Sequence, residues 1–225
     1  MRRVEIFSIF EFLVIFFFLV FPPMLVLPEN HVGEISMEFN LFLFLRILLI
    51  SVCVYLLVFF IPLKIDYLKR EVFFEKNLIL KKLILSVVVA VLVFFISFIF
   101  ESAARSLGEQ SAKIVFEKKS LWQIILASIQ IIVMASYEEI IYRKYLVNRF
   151  CNFFAKFKYR KICAIFLSAI LFSLAHLYNG VCSILFALLS GLLFSVLYHF
   201  SKNIFYPILV HSIYNLVTFF ISYGQ

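Results

Sequence analysis

A chain of 225 residues that is 64% apolar, 19% aromatic and only 15% charged departs from soluble domains, which are about half apolar and a quarter charged. Its composition excludes an ordinary soluble globular protein. The formal charge of +8 is confined to short segments between apolar runs, the distribution of cytoplasmic loops, so the expected partner is a lipid bilayer and not nucleic acid.

A spanning helix needs about 20 mostly apolar residues. Met1-Arg2-Arg3 before an apolar run resembles a secretion signal. Glu11 interrupts that run, however, and Phe21-Pro22-Pro23-Met24 offers no small-residue cleavage site, so residues 6–27 are read as an uncleaved first span. A loop at 29–38 carries no Lys or Arg, and a second span at 39–63 contains Arg46. A basic segment follows at 64–82, a third span at 83–100, and a mixed-charge loop or surface helix at 101–120. The fourth span starts near Leu121 and runs toward Leu146, overlapping a second basic segment at 143–161. Spans five, six and seven fall at about 162–177, 181–200 and 204–223. With the N-terminus cytoplasmic, 16 of the 21 Lys and Arg lie in cytoplasmic segments and 4 outside, the asymmetry that sets orientation. The expected fold is therefore all-α, a polytopic transmembrane helical bundle of about seven spans. It forms one structural domain, with N-terminal helices and loops over 1–120 and a functional core of the last four spans over 121–225. The four cysteines, Cys53, Cys151, Cys163 and Cys182, show no Cys-x-x-Cys spacing and are read as small hydrophobes or reduced thiols.

The chemistry concentrates in the fourth span. Leu121 to Tyr137 carries no formal charge, and then Glu138 and Glu139 arrive together. A charge at bilayer depth costs roughly 3 kcal/mol on insertion scales, so such residues face an interior cavity and have partners. On a helix Glu139 and Arg143 are four apart and meet on one face, while Glu138 points about 100° away. One acid is then held by the arginine and the other stays free. Two more polar pairs stand at helical spacing inside apolar runs: Phe172 with His176 in span five, and His211 with Asn215 in span seven. Each pair alone is equally well read as packing or as interhelical hydrogen bonding. Acids, histidines and an amide on three spans can together build a polar cavity for acid/base chemistry or a metal.

The order Glu-Glu-x-x-x-Arg, Phe-x-x-x-His, His-x-x-x-Asn resembles the CAAX-processing and bacteriocin-processing intramembrane proteases, the CPBP or Abi family, which includes the Ras-converting CAAX endopeptidases. The resemblance covers about 121–223, and the first three spans carry no motif. It implies an intramembrane endopeptidase acting on a membrane-associated peptide or protein. Glu138 would be the general base toward a water also held by His176. Glu139 would sit against Arg143, His211 and Asn215 would donate to the oxyanion, and Phe172 would wall the cavity. The family carries a metalloprotease label, and two His plus a Glu can hold zinc. Glu138, His176 and His211 are therefore candidate ligands of a divalent metal, whereas a metal-free glutamate mechanism uses the same residues and requires no cofactor. The zinc-protease pattern His-Glu-x-x-His is absent.

Depth constrains this reading. His176 lies 15 residues past Lys161, roughly 22 Å along a straight helix, whereas Glu138 is only five residues short of Arg143. They meet if span four runs on to about Arg149, if span five begins outside the bilayer, or if the helices tilt. Two other classes compete: a small proton-coupled transporter using the same groups as a relay, and a catalytically silent immunity or scaffold protein. Against the first, no Gly/Pro-broken helix or inverted repeat is visible. The usage looks bacterial, which places the multi-pass chain in a cell membrane. Substrate, cleavage site and oligomeric state are not legible.

Overall fold

The computed structural model describes residues 2–25, 35–36, 45–46, 48–52, 78–109, 114–115 and 120–223. The expected second span and the basic segment after it lie mostly outside the described residues, as do His31 and Cys53. Residues 45–46 and 48–52 of that span are helical, with Arg46 exposed.

Helix α1 (Arg2–Ile15) continues through a wider π turn, Phe16–Val20, into a 3-10 turn, Pro22–Leu25. Helix α2 is Ile79–Ser106. Helix α3 runs from Leu121 to Phe153 in three pieces, α-helical over Leu121–Glu139, π-helical over Ile140–Leu146 and α-helical again over Val147–Phe153. Helices α4 (Arg160–Leu174), α5 (Val181–Ser201) and α6 (Phe205–Tyr223) follow. The described strand pairing is one parallel contact of two residues on each side, Ile35–Ser36 (β1) with Ile114–Val115 (β2).

Four described helices, α2, α3, α5 and α6, are long and apolar enough to cross a membrane. The protein is an integral membrane helical bundle. Helix α2 shows why: Val87, Phe95 and Phe98 point outward and exposed, and a helix apolar on all sides belongs in lipid. Its inward stripe is Ser86, Val89, Val93, Ser97 and Ala104. Val89 and Val93 pack on Phe194 and Leu197 of α5 and on Tyr206 and Val210 of α6, and the Ser97 hydroxyl stands 2.9 Å from that of Tyr214. Helix α4 is the exception, for its 15 residues span about 22 Å, short of the roughly 30 Å of hydrocarbon.

The fourth span differs most from its expected bounds. The basic residues Arg143, Lys144 and Arg149 do not mark an exit into a loop. They lie inside continuous α3 at 1%, 5% and 2% exposure, leaving Lys156, Lys158, Arg160 and Lys161 at the α3–α4 connection. Arg149 forms a buried ion pair with Glu11 of α1. Around it, Ile15 and Val20 pack on Ile140, Ile141, Tyr145 and Leu146 of the π stretch. A charge at this depth is tolerated because its partner arrives from another helix. Cys151, Cys163 and Cys182 are free thiols.

Candidate active site

The extension of α3 resolves the depth mismatch. Counted from Phe153, Glu138 is 15 residues in; counted from Arg160, His176 is 16. The two therefore reach similar depths from the same connection, about 22–24 Å. Helix α3 starts cleanly, since the Gln123 side-chain oxygen accepts from the Ser120 N–H at 2.9 Å in the manner of a capping box. It then changes pitch directly after the two acids. A π turn holds its hydrogen bonds five residues apart and is commonly found at functional sites. Here all seven of its residues are buried, and the Tyr142 carbonyl accepts a hydrogen bond from the Ser168 hydroxyl of α4.

Glu139 is wholly buried, with two basic neighbours. Its Oε2 lies 3.1 Å from Arg143 Nε, close enough for a strong ion pair but off hydrogen-bond alignment. Its Oε1 accepts from His211 Nδ1 at 2.8 Å. The Arg143 guanidinium finds no hydrogen-bond acceptor among the described residues. It stacks instead on aromatic faces, its Cζ 4.1 Å from the Phe172 ring centre and 5.5 Å from that of Phe194. A desolvated cation over a ring gains up to about 2 kcal/mol, which offsets part of the missing hydrogen bonding. Gly191 of α5 makes room for this stack: a Cβ there would stand 3.1 Å from Phe172 Cδ1 and 3.4 Å from Arg143 Nη2.

Glu138 is placed differently. Its side chain is 18% exposed, and its Oε2 lies 3.8 Å from His211 Nε2. The His211 ring stacks on Phe194 at 5.0 Å and meets the Phe172 edge at 6.2 Å. His176 sits beyond the end of α4, in the turn before the 3-10 segment Leu177–Asn179, and not within a span. Its ring packs against Phe172 at 4.7 Å, so the two histidines flank one phenylalanine. His176 Nδ1 lies 2.9 Å from the Phe172 carbonyl. A carbonyl only accepts, so Nδ1 carries a proton, and when the ring has a single proton Nε2 is an acceptor.

Of the seven residues expected at the site, Glu138, Glu139, Arg143, Phe172 and His211 are linked by successive contacts. His176 joins them across the Phe172 ring, with no direct ion pair to either acid. Asn215 is half-buried one turn beyond His211 on α6, and its side-chain amide meets no partner among the described residues. Glu138 and His211 are close enough to share a metal, but the described residues gather no group of three or more His, Cys, Asp or Glu for one. The three protein ligands of a catalytic zinc are thus not assembled in this arrangement.

Phe194, Gly191 and Tyr178 were not anticipated. Gly191 carried a readable signal, being one of only 5 glycines and standing inside an apolar span. Tyr178 stacks on His176 at 6.5 Å and is 46% exposed, which makes the α4–α5 turn the open surface beside the acids. Packing around its phenol and then the Glu138 charge push its pKa above the ordinary tyrosine value, against a smaller lowering by Asn179. Residues 119–217 match the family described as type II CAAX prenyl endopeptidase Rce1-like. No curated protein and no solved structure matches the chain.

Proposed function

We propose, from a chain that belongs over residues 119–217 to the Rce1-like family of type II CAAX prenyl endopeptidases, that this protein hydrolyses a peptide bond of a membrane-associated peptide or protein inside the bilayer. Glu138 is the general base. It takes a proton from a water that also donates to His176 Nε2, the water oxygen attacks the carbonyl carbon, and the carbonyl becomes an oxyanion. Glu138 then returns the proton to the leaving nitrogen as the C–N bond breaks, giving an amine and a carboxylic acid, which loses its remaining proton to water. His211 Nε2 and the Asn215 amide donate to the oxyanion, the interaction that commonly contributes most to acyl transfer. For His211 to donate from Nε2 while Nδ1 donates to Glu139, its ring carries both protons.

The observation that supports this reading best is the division between the two acids. Glu139 is closed off by Arg143 and His211, whereas Glu138 is partly open beside His211 Nε2. The short α4 adds to it. The helix ends before the His176–Gly180 turn, whose residues are half-buried or exposed and so leave water a way to the acids. We read the N-terminus as cytoplasmic in a bacterial cell membrane. In that orientation the α4–α5 turn faces the opposite side.

The test is cleavage of a membrane-anchored peptide library by the purified chain. Glu138→Gln keeps the shape and removes the base, and should lower turnover by well over ~100-fold. Wild-type turnover in that variant would defeat the glutamate-base reading. A wild type that cleaves nothing but protects its host from a bacteriocin would support the silent immunity protein instead.

A further inference from the structure

The turn that carries His176 is held by a residue outside the family-matched segment. Gly180 precedes α5 with φ +95° and ψ 175°, a conformation essentially restricted to glycine. The position before α5 therefore has no side chain with which to cap the helix. The first N–H groups of any helix lack partners within it, and the usual remedy, a Ser, Thr, Asp or Asn oxygen at that position, is ruled out here by the backbone itself.

The acceptor comes from 72 and 73 positions earlier in the chain. Glu109 Oε1 accepts from the Val181 N–H at 3.3 Å, and Oε2 from the Cys182 N–H at 3.1 Å. Its carboxylate also closes over Gly180, where a Cβ would stand 3.0 Å from Oε2. Its own placement is set locally at the end of α2. Gly108 adopts φ +70°, Gly108 N–H donates to Arg105 O, and Glu109 N–H donates to Ala104 O at 2.9 Å. This is the glycine-terminated Schellman ending of a helix, and it turns the chain so that the next side chain faces α5. A carboxylate against two helix-terminal N–H groups combines charge-assisted hydrogen bonds with a favourable helix dipole.

Val181 is five positions after His176, and the backbone bonds of the turn between them are short-range, Asn179 N–H to His176 O at 3.1 Å and Gly180 N–H to Leu177 O at 3.2 Å. We infer that Glu109 is a positioning residue for the reaction: it clamps the start of α5 and so fixes the turn that presents His176 and Tyr178 beside Glu138. It touches no reacting atom. The inference rests on the proposed role of His176, and α2 thereby becomes part of the machinery although it carries none of the recognisable motifs.

The test uses the full chain in nanodiscs, counting only the folded fraction. Glu109→Ala should lower kcat about tenfold or more while KM stays within about twofold. It should also speed amide exchange over 176–184 by about tenfold or more, the scale of losing hydrogen bonds to a charged group. Glu109→Gln keeps one acceptor oxygen and should recover part of both. Wild-type kcat in Glu109→Ala, unchanged exchange over 176–184, or a Gln variant no better than Ala would each overturn the inference. If Glu109→Ala does not fold, the Gln variant carries the test, because wild-type kcat and exchange there show that the charge on the clamp is idle. Activity that survives Glu138→Gln sinks the catalytic assignment alone, and the exchange measurement still judges the clamp.

Discussion

Replacing Arg143 probes the buried side of the site. The guanidinium is 1% exposed, its ion-pair partner Glu139 is 0% exposed, and the two are 3.1 Å apart. Arg143→Ala leaves Glu139 with only the His211 Nδ1–H as partner. Removing one member of a buried pair costs about 3–5 kcal/mol, and loss of the stack on Phe172 is included in that figure. For a chain of this size, each kcal/mol corresponds to about 2–4 °C in thermal midpoint. The Ala variant should therefore melt about 6–20 °C below wild type in detergent. Arg143→Lys retains a charge but loses the flat face that lies 4.1 Å from the Phe172 centre. Its expected cost is about 1–2 kcal/mol, with activity only partly recovered because a mobile ammonium holds Glu139 less firmly against His211. The assay is a thermal scan beside cleavage kinetics on the same preparations. An Ala variant with the wild-type midpoint and wild-type kcat would show that Arg143 does not hold the buried carboxylate.

Two further perturbations follow from contacts outside the reacting groups. Gly191→Ala puts a methyl 3.1 Å from Phe172 and 3.4 Å from Arg143; overpacking costs about 1–3 kcal/mol, so kcat should fall together with the thermal midpoint, and an unchanged kcat would show that the stack can shift without consequence. Glu11→Ala removes the carboxylate from the buried pair with Arg149 and should cost about 3–5 kcal/mol, whereas Glu11→Leu with Arg149→Met should recover most of it, since an apolar replacement of a buried pair is often neutral. A double variant no more stable than Glu11→Ala in a thermal scan would refute that account.

Local relations were legible and distant ones were not. The Glu139–Arg143 pair follows from four-residue spacing on one helix, and a π turn barely disturbs it, because four residues remain close to one turn. Phe172 with His176 was also readable as a pair, although His176 proved to lie in a turn and not on a helical face. The end of span four was misplaced for a definite reason. Basic residues after an apolar run ordinarily signal the membrane surface, but Lys144 and Arg149 are buried. Arg149 is satisfied by Glu11, 138 positions earlier. Glu11 itself read only as a flaw in a secretion signal. The His211–Glu139 bond joins residues 72 apart, and Glu109 is equally remote from the helix it caps. Periodicity carries no information about such partners, since it reports the face of a helix and not what meets it.

Adjacent acids on one helix raise the question of which one reacts, and the geometry separates them by access. A base must reach a water. Glu139 is 0% exposed, with one oxygen taken by His211 Nδ1–H at 2.8 Å and the other facing Arg143 Nε at 3.1 Å, so neither oxygen is open to solvent. Glu138, 18% exposed and 3.8 Å from His211 Nε2, stays open to water. In the proposed mechanism the closed-off acid nonetheless acts on the open one. By engaging Nδ1 it sets the His211 ring so that Nε2 points at Glu138, the arrangement by which a carboxylate commonly orients a histidine. Arg143 gives that buried carboxylate an ion-pair partner, and the Phe172 and Phe194 faces, with the space left by Gly191, receive the Arg143 guanidinium. Each group solves a burial problem created by the next, and the chain of compensation ends at the one acid left open to water.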